Sequence, residues 1–151
     1  MYQRILVPLD GSETSRRGLT EAIALAGSLK STLCLLHVTS DFPAGLEIAN
    51  ALDVEKYREG LHQYGRDLMD QSRREAEKAG VAAEVQLSDV KGGRVAEVIV
   101  DEAVSQKCDL IVIGTHGRRG FSRLVVGSDA EAVMRASPVP VLLVRAPGAA
   151  T

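Results

Sequence analysis

The chain of 151 residues predicts an α/β fold with three layers, a five-stranded, mostly parallel sheet with helices on both faces. Three observations predict it. Short β-rich runs alternate with longer helical patterns in the order β-α-β-α-β-α-β-α-β, the signature of parallel strands joined by helical crossovers. Most of the runs are continuously apolar, as strands covered on both faces must be. The length also suffices to bury roughly 70% of the surface an unfolded chain exposes, so a core can form without disulfide or metal support.

The first strand is read at Ile5–Leu9 and the first helix at about Ser12 to Lys30, with Leu19, Ala22, Ile23, Ala26 and Leu29 on one stripe. Thr32–Val38 gives the second strand. The second helix runs from about Val54 to Ala79, with a predicted core stripe of Val54, Tyr57, Leu61, Tyr64 and Leu68, and Gly80 stops it. Ala82–Leu87 is more polar and alternates, which marks an edge strand. The third helix covers about Arg94 to Lys107 through Val95, Val98, Ile99 and Ala103. Leu110–Gly114 is the fourth strand. The fourth helix, about Ser128 to Ala136, ends at the Ser137-Pro138 step. Val139–Arg145 is the last strand, expected at a sheet edge. Residues 1–146 are read as one domain and 147–151 as a flexible tail. Thr39–Asn50 is the longest irregular stretch.

Composition narrows the function classes. A net charge of -2 offers no general attraction to nucleic acid or anionic membrane. Aromatic residues make up 3% of the chain and Trp is absent, against a base-stacking platform for single strands. Cys34 and Cys108 lie beside apolar runs without metal or redox spacing, and both are expected as buried free thiols. The opening MYQRILVPLD reads as a strand rather than a secretory leader, and no apolar run approaches the ~20 residues of a membrane helix. A cytoplasmic protein is expected.

In sheets of this kind a ligand lies beyond the carboxyl ends of the strands. That draws attention to Pro8, Leu9, Asp10 and Gly11, to His37 and Val38, to Asp89, and to GTHGRRGFSRLVVGSDAEAV from Gly114 to Val133. Here Gly114 and Gly117 follow the fourth strand, and nine residues later Gly127-Ser128 open the fourth helix. Glycines let backbone N–H groups approach a ligand, and a helix N-terminus adds unpaired donors with partial positive charge. Ser128 is a candidate N-cap or phosphate ligand. The spacing suits a polyphosphate between two backbone nests. Neither a Walker P-loop nor a G-x-G-x-x-G fingerprint is present.

The sequence resembles the universal stress protein family, specifically its ATP-binding branch. Gly114, Gly117, Gly127 and Ser128 match its G-2x-G-9x-G-[ST] motif in full, and ILVPLDGSETSRRGL, LCLLHV and SPVPVLLVR resemble its flanking strands. The resemblance covers essentially the whole chain and implies a Rossmann-like fold of the adenine nucleotide alpha-hydrolase-like type. It further implies an ATP site with Mg²⁺ or Mn²⁺ carried on the phosphates. Pro8, Leu9 and Asp10 would sit beside base and ribose, with the backbone of Val38 at the adenine edge. Gly114, Gly117, Gly127, Ser128, Asp129 and Ala130 would surround the phosphates, and Arg118 would add charge. The family pattern commonly has an apolar residue where Asp129 stands. That carboxylate either complements the helix dipole or faces the ligand and its cation. A homodimer through Val139–Arg145 is also implied.

Several tempting residues have plainer readings. Ser12 is expected to cap the first helix, His37 to be a hydrogen-bonded core histidine, and Lys91 to Arg94 to form a strand-to-helix turn. Arg16-Arg17 and Arg73-Arg74 read as solvated helix faces. A Ser12–His37–Asp10 triad lacks the G-x-S-x-G elbow. The expected function is therefore nucleotide-dependent regulation in a stress response, acting on an unknown client, rather than fast enzymatic turnover. An interaction module without effective nucleotide binding and a slow ATP hydrolase or adenylyl transferase are the alternatives.

Overall fold

The structure, a computed structural model, describes residues 1–40, 51–90, 92–115 and 126–145. The elements run β1 (Arg4–Pro8), α1 (Glu13–Leu29), β2 (Thr32–Thr39), α2 (Ala51–Lys78), β3 (Ala83–Asp89), α3 (Val95–Ser105), β4 (Leu110–Gly114), α4 (Ser128–Ala136) and β5 (Val141–Val144). The five strands form one sheet in the order β3-β2-β1-β4-β5, and every pairing is parallel. Strand order reverses at β1, so the crevice predicted for ligands opens between the carboxyl ends of β1 and β4.

Alternation along the strands sorts side chains into two cores. Ile5, Val7, Leu33, Leu35 and Val112 face α1 and α2, while Leu6, Leu36, Ile111 and Ile113 face α3 and α4. Fully burying a side chain of this size stabilises the fold by roughly 1.5–3 kcal/mol, so β1, β2 and β4 dominate the core. β3 and β5 occupy the edges, as their sequences indicate, and Val85, Leu87 and Leu142 remain exposed there. β5 is shorter than predicted. Ser137 closes a turn by donating its hydroxyl to the Val139 carbonyl at 2.7 Å, and Pro140, which lacks an N–H, contributes only its carbonyl to Ile111 N.

The helices depart from their predicted stripes in two places. On α1, Leu19, Ala22 and Ala26 are buried, but Leu29 on the final turn is 37% exposed. On α2 the buried residues are Gly65, Met69, Ser72 and Ala76, while of the predicted stripe Val54, Leu61 and Leu68 are half-buried and Leu68 packs against the core. Tyr57 and Tyr64 are 40% and 49% exposed. Small residues win because α2 lies close to β2: a Cβ on Gly65 would stand 2.7 Å from the His37 ring. The ends follow expectation better. Ser12 caps α1 by accepting from Ser15 N at 3.2 Å, and Gly80 turns the chain beyond α2 at φ +76.

At the amino ends of the strands, Asp109 accepts from the backbone N–H groups of Gln3 at 2.8 Å and Arg4 at 3.0 Å. Arg4 in turn donates to Gln106 O and pairs with Glu84 at 2.6 Å, which holds the Glu84 carboxyl below its ordinary range. Cys34 and Cys108 are buried free thiols, as expected. The neighbouring Cys34 thiol and burial push the Cys108 thiol upward. The arginine runs carry ion pairs along helix faces, Arg17 to Glu21 and Arg74 to Asp70.

Candidate functional site

The β1–α1 turn is built by local hydrogen bonds. Leu9 N donates to Leu36 O at 2.8 Å, continuing the β1–β2 ladder one residue past the strand. Asp10 Oδ1 then accepts from Ser12 N at 2.9 Å, and Gly11 takes φ +85, a conformation that L side chains rarely adopt. The turn leaves Asp10 exposed at the carboxyl end of the sheet. His37 donates through Nδ1 to Leu9 O at 2.7 Å, which makes it the hydrogen-bonded core histidine expected. In that position it is no partner for a nucleophilic Ser12, whose hydroxyl lies 3.1 Å from that of Thr14.

Beyond these strand ends lies a cavity of about 170 Å³, where roughly 10–15 Å³ would hold one water. Among the described residues one wall is polar, made by Asp10 and Ser12 of the β1–α1 turn and Thr14 and Ser15 of the first turn of α1, with Ser40. The opposite wall is apolar: Leu36 and Val38 from β2, Ile113 from β4, and Val95 and Ile99 from α3. Pro8, Leu9, Gly114, Asp129 and Ala130 complete it. A slot with one apolar and one hydroxyl-bearing side suits a flat heterocycle joined to a polar group.

Gly114 ends β4 against the start of α1. A Cβ there would run into the Thr14 carbonyl. Packing alone therefore demands glycine at this position. Gly127 is the N-cap of α4 with φ -59 and ψ 153, and the first helical hydrogen bond runs from Glu131 N to Gly127 O at 2.9 Å. Ser128 is thus the first residue of the helix rather than its cap, a correction of one position. The first turn of a helix has N–H groups without intrahelical acceptors. With Asp129 and Ala130 on the cavity wall, that turn of α4 opens onto the cavity. Asp129 is half-buried there.

Of the sequence-predicted residues, Pro8, Leu9, Asp10, Val38, Gly114, Asp129 and Ala130 come together around one cavity. Gly127 and Ser128 adjoin it through α4. Gly117 and Arg118 lie outside the described residues, as do His116, Lys91 and the tail. Asp89 stands apart from the cavity lining and pairs with His62 at 3.3 Å. Sequence reasoning missed Thr14, Ser15, Val95 and Ile99 as wall residues. Their one signal was position, directly after the turns that follow β1 and β3.

The sequence model of the universal stress proteins matches residues 1–145. The chain belongs to the universal stress protein family. A universal stress protein of Methanocaldococcus jannaschii is 31% identical over 148 residues, 97% of this chain and 84% of that one. The crystal structure of a universal stress protein family member from Burkholderia pseudomallei shares the fold at TM-score 0.76 and 29% identity, covering 94% of this chain and 95% of that one. A universal stress protein from Archaeoglobus fulgidus, solved in complex with dAMP, matches at TM-score 0.62 and 24% identity over 95% of this chain and 98% of that one. The last likeness is one of fold. In this universal stress protein the described cavity lining draws on six elements, β1, α1, β2, α3, β4 and α4, together with the β1–α1 turn. No helix among the described residues is long and apolar enough to cross a membrane.

Proposed function

We propose that this universal stress protein binds ATP at the cavity and acts as a nucleotide-dependent regulator in a stress response, with little or no hydrolysis. The observation that carries the reading is the convergence of Pro8, Leu9, Asp10, Val38, Gly114, Asp129 and Ala130 on one two-sided slot. The dAMP complex of the Archaeoglobus fulgidus relative is in keeping with it. Adenine would lie on the apolar side, with its edge toward the Val38 backbone. Asp10 would accept from ribose hydroxyls. The phosphates would run to the α4 N-terminus, where Gly127, Ser128, Asp129 and Ala130 supply donors, and onward to Gly117 and Arg118.

Among the described residues no three His, Cys, Asp or Glu side chains gather as a metal cage. A Mg²⁺ or Mn²⁺ ion would travel on phosphate oxygens and water, as Mg²⁺ commonly does, with Asp129 either facing it or complementing the helix dipole. Calorimetric titration of nucleotide-free protein with ATP, ADP and AMP, each with and without Mg²⁺, tests the reading. Saturable binding that weakens as phosphates are removed is expected. Absence of heat from folded protein would leave the second reading, an interaction module. Two observations favour that one: Gly114 is already required by Thr14, and a carboxylate, Asp129, lies on the cavity wall at the start of α4.

The protein is further proposed to be cytoplasmic and to dimerise through β5, whose outer edge has no strand partner among the described residues and whose Leu142 is 42% exposed. Light scattering on the eluting protein should read twice the chain mass of 16.1 kDa. A monomer mass at high concentration would remove β5 as an interface.

A further inference from the structure

Two side chains outside the described cavity lining, His37 and Tyr64, hydrogen-bond its backbone. The Tyr64 hydroxyl, on α2, donates to the Asp10 carbonyl oxygen at 3.1 Å. His37, on β2, donates to the carbonyl of the preceding residue, Leu9, at 2.7 Å. The two rings meet edge to face, with centroids 6.0 Å apart and planes at 64°. Two consecutive carbonyls of the β1–α1 turn are thus held by side chains from two other elements. The helix cap does not need them, since Ser12 already satisfies Ser15 N.

The tyrosine also fixes what can stand beside it. Gly11 has φ +85, and a Cβ there would run into the Tyr64 hydroxyl. Tyr64 is 49% exposed, so burying its ring does little to explain its contact with the turn. Its oxygen meets the backbone of Asp10, a residue of the cavity lining. A hydrogen bond to the Asp10 carbonyl restrains the turn in which Ser12 N holds Asp10 Oδ1 at 2.9 Å, and through that turn it restrains the carboxylate.

We propose that Tyr64 is a positioning residue that orients Asp10 to read the sugar hydroxyls of the bound nucleotide. This deepens the ATP-site reading above and rests on it. Through Tyr64 the long helix α2, which lends no residue to the described cavity lining, bears on which nucleotides the cavity prefers.

Tyr64→Phe keeps the ring and its contact with His37 and removes the hydroxyl alone. Parent and variant are titrated with ATP and with 2′-deoxyATP, and their unfolding temperatures are compared. The parent should prefer ATP. The variant should lose roughly two- to tenfold in ATP affinity, the value of one net hydrogen bond. Its 2′-deoxyATP affinity should fall less, so the preference narrows at a nearly unchanged unfolding temperature. Equal loss for both nucleotides, or no loss, would overturn the positioning role and leave the nucleotide site standing. A parent that binds both nucleotides equally would also overturn it, because no sugar reading exists to be tuned. A parent that binds neither refutes the underlying ATP reading, and the inference falls with it.

Discussion

Gly114→Ala is expected to lower stability by about 2–3 kcal/mol, the upper part of the range for overpacking a tight interior. For a chain of this length that corresponds to a fall in Tm of roughly 4–12 °C. The added Cβ would enter the Thr14 carbonyl, which is backbone in the first turn of α1 and cannot swing aside as a side-chain tip could. Gly18, one turn along, is also close, with a virtual Cβ 3.3 Å from Gly114 N, so α1 is pressed against β4 at two points. Relief requires the whole helix to shift off the sheet, against the buried contacts of Leu19, Ala22 and Ala26. Thermal unfolding followed by circular dichroism measures this directly. An unchanged Tm would mean that α1 rides more loosely on β4 than its packing implies.

The same substitution at Gly127 should do the opposite. Gly127 has φ -59 and ψ 153, values open to any L-residue, so its backbone conformation makes no demand for glycine. Alanine is a poorer N-cap than glycine, and the expected stability change stays within about 1 kcal/mol. Nucleotide binding should suffer far more. In the proposed site, a methyl group at the start of α4 would stand where phosphate oxygens would approach the N–H groups of Asp129 and Ala130. ATP affinity is expected to fall at least tenfold, about 1.4 kcal/mol. Calorimetric titration of the folded variant reads it, and parental affinity would show that the glycine pair does not cradle phosphate. Two glycines of one sequence motif thus answer to different forces, one to helix packing and one to the proposed ligand.

That distinction was closed to sequence reading. In the spacing, Gly114 and Gly127 look alike, because the reason for Gly114 lies a hundred residues earlier in Thr14. The sheet was far more legible. β1, β2 and β4 are continuously apolar since helices cover both of their faces, and β3 betrays its edge position by alternating. On α2 the predicted stripe holds at Val54, Leu61 and Leu68, which are half-buried, and fails at Tyr57 and Tyr64. Periodicity picks large apolar residues, but the close approach of α2 to β2 selects Gly65, Met69, Ser72 and Ala76, two of which carry no hydrophobic signal at all. For the same reason Tyr64 reads from the sequence as core, whereas in the fold it reaches Asp10. The polar side of the cavity follows from the turn after β1. Its apolar side depends on α3 crossing to the α4 face of the sheet, which local patterns do not encode.

The strand order has a consequence for the order of events at the ribosome. β1 is the central strand, yet one of its neighbours, β4, begins at Leu110, about a hundred residues downstream. At roughly 5–20 residues per second of synthesis, β1 waits about 5–20 s with one flank of N–H and C=O groups unsatisfied. A half-sheet of β1, β2 and β3 formed in that interval would carry the apolar β1 at its edge. Such an edge invites pairing with other nascent chains. The growing chain is then most vulnerable to aggregation in the middle of its own translation, and the danger passes when Ile5 and Leu6 find Leu110 and Ile111.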